Sequence, residues 1–177
     1  DNFKSQKSND LTVVVYNFVD MLSHSKTEME VIKELASNDK SYRSLTQSWF
    51  KNSPLLDIIQ KAQQQGFKLI ITTDHGTINV KNPSKVIGDK NTSLNLRYKT
   101  GRSLTYDKKE VFAIENPKSV HLPTINMSSS YIFAKEDLFF AYPNNFNHYV
   151  SYYRNTYQHG GISLEEVVIP FVVLNPK

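Results

Sequence analysis

The sequence predicts an α/β protein with a largely parallel sheet flanked by helices, and three observations carry that expectation. Residues 11–18 (LTVVVYNF) and 67–73 (FKLIITT) are apolar, β-branched runs without alternation, the pattern of strands buried on both faces of a parallel sheet. The second run follows directly on a helical stripe ended by Gly66, the order of an αβ unit. A third apolar run, VVIPFVVL at 167–174, supplies a last strand.

The first ten residues, DNFKSQKSND, are polar and read as a lead-in or linker, with residues 11–177 as one domain. They carry no initiating Met, which suggests a chain that starts inside a longer protein or follows a cleavage. After the first strand, residues 26–37 place Met29, Ile32, Leu35 and Ala36 on one helical face. A second helix is expected over Tyr42–Phe50. The third is marked by Ser53 as N-cap, Pro54 at the first helical position, and an apolar stripe of Leu55, Ile58, Ile59 and Ala62. Residues 77–109 are rich in Asn, Lys, Thr and Gly with little periodicity, and read as a long excursion over the sheet edge. VFAI (111–114), YIFA (131–134) and LFFAY (138–142) read as short strands. Pro170 inside the last apolar run argues for an edge strand or a bulge there.

Composition narrows the chemistry. With 177 residues, 39% of them hydrophobic, the chain can bury a real core. No apolar run approaches the roughly 18 residues of a membrane span, and the N-terminus lacks a basic-then-apolar signal pattern. Both point to a soluble protein. The absence of cysteine excludes disulfides and thiolate metal sites, so a metal must be held by Asp, Glu and His; a reducing cytoplasm fits this. The net charge of +4 is uneven: residues 81–109 hold eight Lys and Arg against two Asp, and the remainder is slightly acidic. A basic run usually means a solvated loop, but its place just after a DHG motif favours phosphate binding.

Three short stretches combine carboxylates and imidazoles. Asp20 and His24 are four apart just after the first strand, so on a helical turn both point one way and can share a cation. Alone, such a pair is more often a capping carboxylate and a surface histidine. The second stretch is TTDHG (72–76), where Asp74 and His75 converge because the strand ends and Gly76 supplies a tight turn; its bland reading is an Asx turn. The third is QHGGISLEE (158–166), where two glycines after His159 let backbone come close to whatever the imidazole binds. Its bland reading is a β-turn. Three of the five histidines fall in these stretches, and His121 and His148 read as loop and rim residues. The aromatic stretch from Tyr142 to Tyr157 reads as core and rim, with base stacking as the functional alternative.

The order D-x-x-x-H, then D-H-G after a strand, then H-G-G before a final strand resembles the metal-ligand order of the alkaline phosphatase superfamily. The string TTDHG…HGGISLEEVVIPFVVL is similar to the PglZ domain, most like that of PorX-type response regulators, over about residues 11–175. The resemblance implies an alkaline-phosphatase-like fold, of which this chain is the C-terminal part, incomplete without preceding sequence. It implies two Zn2+ ions, one held by Asp20, His24 and His159 and the other by Asp74 and His75, with the nucleophilic Thr or Ser and a further carboxylate upstream. Arg97, Lys99 and Arg102 in RYKTGRSL are then candidates for substrate phosphate. The implied activity is zinc-dependent hydrolysis of nucleotide or oligonucleotide phosphodiesters in a cytoplasmic signalling protein, with this fragment alone inactive. Its implied partners are an N-terminal receiver domain, a second copy in a homodimer, and proteins of a type IX secretion pathway. The alternative is an interaction module of a two-component regulator that keeps its metals for stability.

Overall fold

The structure, a computed structural model, describes residues 9–22, 34–35, 38–124, 126 and 128–177. They divide into two compact units, one running up to Thr72 and resuming at Pro170–Lys177, the other Thr73–Ile169.

In the first unit, α1 (Asp39–Asn52) begins at Asn38, whose side chain accepts the Ser41 amide at 2.9 Å. It covers and extends the helix expected over Tyr42–Phe50. The second helix, α2 (Pro54–Gln64), has Ser53 and Pro54 at the predicted start, although the Ser53 hydroxyl bonds the Phe50 carbonyl instead of capping. Gly66, in left-handed backbone with φ +86°, ends it, and β1 (Leu69–Thr72) follows. Of the helix expected over 26–37, Glu34 and Leu35 are helical and the other residues lie outside those described.

Residues 11–17 form no strand, contrary to the sequence reading, and 18–22 are helical. Val13, Val14 and Val15 are each more than 60% exposed. Strand propensity makes a strand only where a neighbour completes the ladder, and no described segment pairs with these residues. Trp49 of α1 stacks on Phe18 with centroids 3.8 Å apart.

Strand β1 pairs antiparallel with β9 (Phe171–Leu174), with Leu69 opposite Leu174 and Thr72 opposite Phe171. The predicted eight-residue final strand is therefore half that length: Pro170, which cannot donate to a ladder, stands immediately before it. The Pro170 carbonyl instead accepts the Thr72 hydroxyl at 2.8 Å.

The second unit holds the larger core. The segment expected as an excursion over 77–109 contains three strands, β2 (Ile78–Val80), β3 (Asn82–Lys85) and β4 (Tyr98–Gly101), too short to show periodicity. The strands expected near 111, 131 and 138 are β5 (Val111–Ile114), β6 (Ser130–Ala134) and β7 (Leu138–Ala141). The aromatic stretch splits into α3 (Phe146–Tyr153) and β8 (Thr156–Gln158), followed by the short helix α4 (Leu164–Val167). β7 alternates its faces: Phe140 joins Val86, Val111, Ile132 and Ala134, while Phe139 and Ala141 join Ile78 and Val80.

The architecture is α/β with small sheets, and among the described pairings only β3 with β7 is parallel. β4, β6 and β5 form an antiparallel three-stranded sheet, and β2 pairs antiparallel with β8. A parallel sheet was expected from the helix-to-strand order at α2–β1, but β1 meets β9 running the other way. Among the described residues no helix is long and apolar enough to cross a membrane.

Candidate metal centre

The β2–β8 ladder builds the site. In its antiparallel register Ile78 lies opposite Gln158, so the residues entering β2 adjoin those leaving β8. The first are Asp74-His75-Gly76 and the second His159-Gly160-Gly161. The imidazoles of His75 and His159 consequently stack, with centroids 3.8 Å apart and planes 11° from parallel. Both rings are half-buried.

Local bonds orient the first of these loops. β1 ends at Thr72, and Thr73 is already in the turn, its hydroxyl donating to the His75 carbonyl at 2.9 Å. The His75 amide donates to the Asp74 carboxylate at 3.1 Å. That carboxylate is held below its usual range by backbone hydrogen bonding, with a smaller contribution from the adjoining imidazole. The Nδ1 of His75 lies 3.0 Å from the Gly76 carbonyl oxygen. A carbonyl only accepts, so Nδ1 carries the proton and Nε2 is left with its lone pair. Nε2 is 3.8 Å from the Asp74 carboxylate, too far for a hydrogen bond.

Glu166 ties the two loops together. Its side chain is buried and accepts from Arg97 Nε at 3.0 Å, Arg97 Nη2 at 2.9 Å, the Gly161 amide at 2.8 Å and the Ser163 amide at 3.2 Å. Its backbone carbonyl accepts the Gly76 amide at 2.8 Å. Burial pushes the carboxyl up, and the hydrogen bonds and charge of Arg97 outweigh this, holding it below the ordinary glutamate value. Both glycines are there for space. A Cβ on Gly76 would stand 2.0 Å from the Glu165 carbonyl oxygen, and one on Gly161 would stand 2.6 Å from the Glu166 carboxylate. Asn95 completes the brace, its side-chain amide donating to the His159 carbonyl at 3.3 Å while its oxygen accepts the amides of Arg97 and Tyr98.

A model of the BREX system PglZ alkaline phosphatase-like domain matches residues 4–174. The chain belongs to the PglZ family. A comparison with curated proteins gave no match.

Alkaline-phosphatase-like domains such as PglZ typically bind metals. The donors within the Thr73–Ile169 unit fit such an ion. The tautomer of His75 presents Nε2, the proton-bearing Nδ1 is anchored on a carbonyl as metal-bound imidazoles usually are, and a carboxylate faces it. One cation at about 2.0–2.2 Å from each atom can span the 3.8 Å gap between Nε2 and Asp74.

Asp20 is exposed on the helical stretch 18–22 of the other unit, and His24 lies outside the described residues. Of the three basic residues expected at substrate phosphate, Arg102 is exposed, whereas Arg97 and Lys99 are 0% and 1% exposed. Arg97 Nη1 donates to the Leu138 carbonyl, and Lys99 Nζ donates to the Ser93 carbonyl at 2.8 Å. Glu166 was missed by sequence reasoning, although the S-x-x-E spacing of Ser163 and Glu166 is a capping-box signature. Nothing in the sequence marks Asn95.

Proposed function

We propose that this PglZ domain is the metal-holding part of a phosphoesterase, acting on phosphodiesters of the nucleotide or oligonucleotide class. The observation that supports the reading is the stacking of His75 on His159 beside Asp74, three metal-type donors drawn from two distant loops. In this reading Asp74 and His75 hold one Zn2+, and His159 holds a second together with Asp20 and His24. Two such cations supply activation of the attacking oxygen and charge neutralisation of the leaving one.

The chain's own residues do the positioning. Nδ1 of His75 is held on the Gly76 carbonyl, so that the neutral ring presents Nε2 as its electron-pair donor. Arg97 and Glu166 act as positioning residues: their ion pair fixes the Gly161 amide, and with it the segment that carries His159. Arg102 is the remaining basic candidate for a substrate phosphate oxygen. The attacking hydroxyl is a Thr or Ser outside residues 1–177, as the resemblance to the superfamily implies, and similarity of the two end motifs to PorX-type regulators supports a signalling setting with a receiver domain.

The test uses the protein that carries this chain. Loaded with zinc it is expected to hydrolyse bis-p-nitrophenyl phosphate, to stop when a chelator strips the metal, and to lose both activity and stoichiometric zinc in His159→Ala. Zinc bound at full stoichiometry with no turnover of cyclic or linear dinucleotides would replace the hydrolase by a metal-stabilised interaction module. Unchanged zinc content in His75→Ala and His159→Ala would remove the metal centre itself.

A further inference from the structure

Away from the histidine pair, the Thr73–Ile169 unit has a half-open pocket of about 190 Å³ lined by Leu96, Lys99, Phe140, Tyr142, Tyr149 and Tyr153, among others. None of these residues belongs to the DHG or HGG loops. The walls are rings and alkyl chains, and Lys99 contributes the single cation. Tyr149, 38% exposed, leaves one side open to solvent.

Lys99 is unusual in being a buried cation without a counter-ion. It is 1% exposed, its ammonium lies 4.6 Å from the centroid of the Tyr142 ring, and no carboxylate among the described residues is within ion-pair distance. The one hydrogen bond it makes among them goes to the Ser93 carbonyl, so an ammonium with three donors has only part of its valence met. Burying a charge in this way is costly unless something pairs with it. The Tyr142 hydroxyl, 3.4 Å from the same Ser93 carbonyl, holds that ring in place beside the amine.

We propose that this cavity is a binding site for a small flat aromatic ring bearing one anionic group, the anion pairing with Lys99 and the ring lying against Tyr142, Tyr149 and Tyr153. The size argues for one ring, because 190 Å³ is well below the roughly 300–1,000 Å³ of pockets that take larger ligands. The shape argues for a flat one: Tyr149 and Tyr153 lie nearly parallel, 14° apart with centroids 6.3 Å from each other, offering successive faces along α3. The anion, carboxylate or phosphate, supplies the partner that the ammonium lacks.

Isothermal titration of the protein with benzoate, phenyl phosphate, cyclohexanecarboxylate and benzyl alcohol tests this. Benzoate and phenyl phosphate are expected to saturate one site, the tighter of the two naming the anionic group, with cyclohexanecarboxylate and benzyl alcohol weaker. Lys99→Met, which keeps the volume and removes the charge, should weaken both anions about tenfold or more and leave benzyl alcohol as it was. Tyr149→Ala, at the open side, should weaken the aromatic anions and leave cyclohexanecarboxylate unaffected. Absence of saturable binding by either aromatic anion, or equal affinity of wild type and Lys99→Met for both, overturns the proposal. Zinc content serves as the independent check that neither variant has disturbed the histidine pair.

Discussion

The carbonyl of Glu166 accepts the amide of Gly76 at 2.8 Å, joining the loop that carries His75 to the helix behind His159.

Gly76→Ala has no room, since the added Cβ meets the Glu165 carbonyl oxygen at 2.0 Å and backbone must move. We expect a loss of about 1–3 kcal/mol in urea denaturation, typical of overpacking. Gly66 provides the contrast. Its constraint is left-handed backbone with nothing within 4 Å, so Gly66→Asn, a residue that tolerates that region, should cost well under half as much.

Glu166→Gln leaves the Arg97 guanidinium buried and short of its anion, and should cost about 3–5 kcal/mol. The same ion pair makes the wild type sensitive to acid. The folded carboxyl titrates below the ordinary value of 4.5, so as pH falls the unfolded chain takes up a proton there before the folded one does. Stability from this group is complete above the unfolded pKa and is lost as pH falls through the lower folded one. Urea midpoints measured from about pH 6 down to about pH 3 should fall for the wild type, with part of that fall absent in Glu166→Gln.

Lys99 has a dependence of the same sign, in an alkaline window. Burial lowers its pKa from 10.5 to about 8, so between these values the unfolded chain holds a proton that the folded chain has released. Stability therefore rises with pH across that window, by roughly 2 kcal/mol from about pH 8 to about pH 9.5. Tyr142 and Tyr153, whose hydroxyls burial pushes up, act the other way only above their unfolded value of 10. Thermal melting of wild type and Lys99→Met over that range should show the rise in the first and its absence in the second.

How far the sequence could be read depended on whether the deciding interaction was local. α2 announced itself through Ser53, Pro54 and its apolar stripe, and β5, β6 and β7 through short apolar runs. Residues 11–17 misled because Val13, Val14 and Val15 have the side chains of a strand but no ladder partner among the described residues. The direction of the sheets was not visible for the same reason: pairing of β1 with β9 is decided across the whole length of the other unit. At the metal centre, the DHG and HGG motifs singled out His75 and His159, yet their stacking depends on the Ile78–Gln158 register, which no residue pattern states. Arg97 and Lys99 were expected at substrate phosphate, yet both are buried, as charged residues almost never are unless paired. The partners that decide otherwise, Glu166 and the Tyr142 ring, come from elsewhere in the chain.

The pairing of β1 with β9 also sets an order of events during synthesis. Leu69–Thr72 leaves the ribosome before any of Thr73–Ile169, and its antiparallel mate is made only after all of that unit has been translated. The unit bearing the histidines can therefore close its own ladders while Ile70 and Ile71 still wait for Val172 and Val173. Until then those two isoleucines stand unpaired in the nascent chain, an exposed strand edge that calls for a chaperone or for rapid elongation.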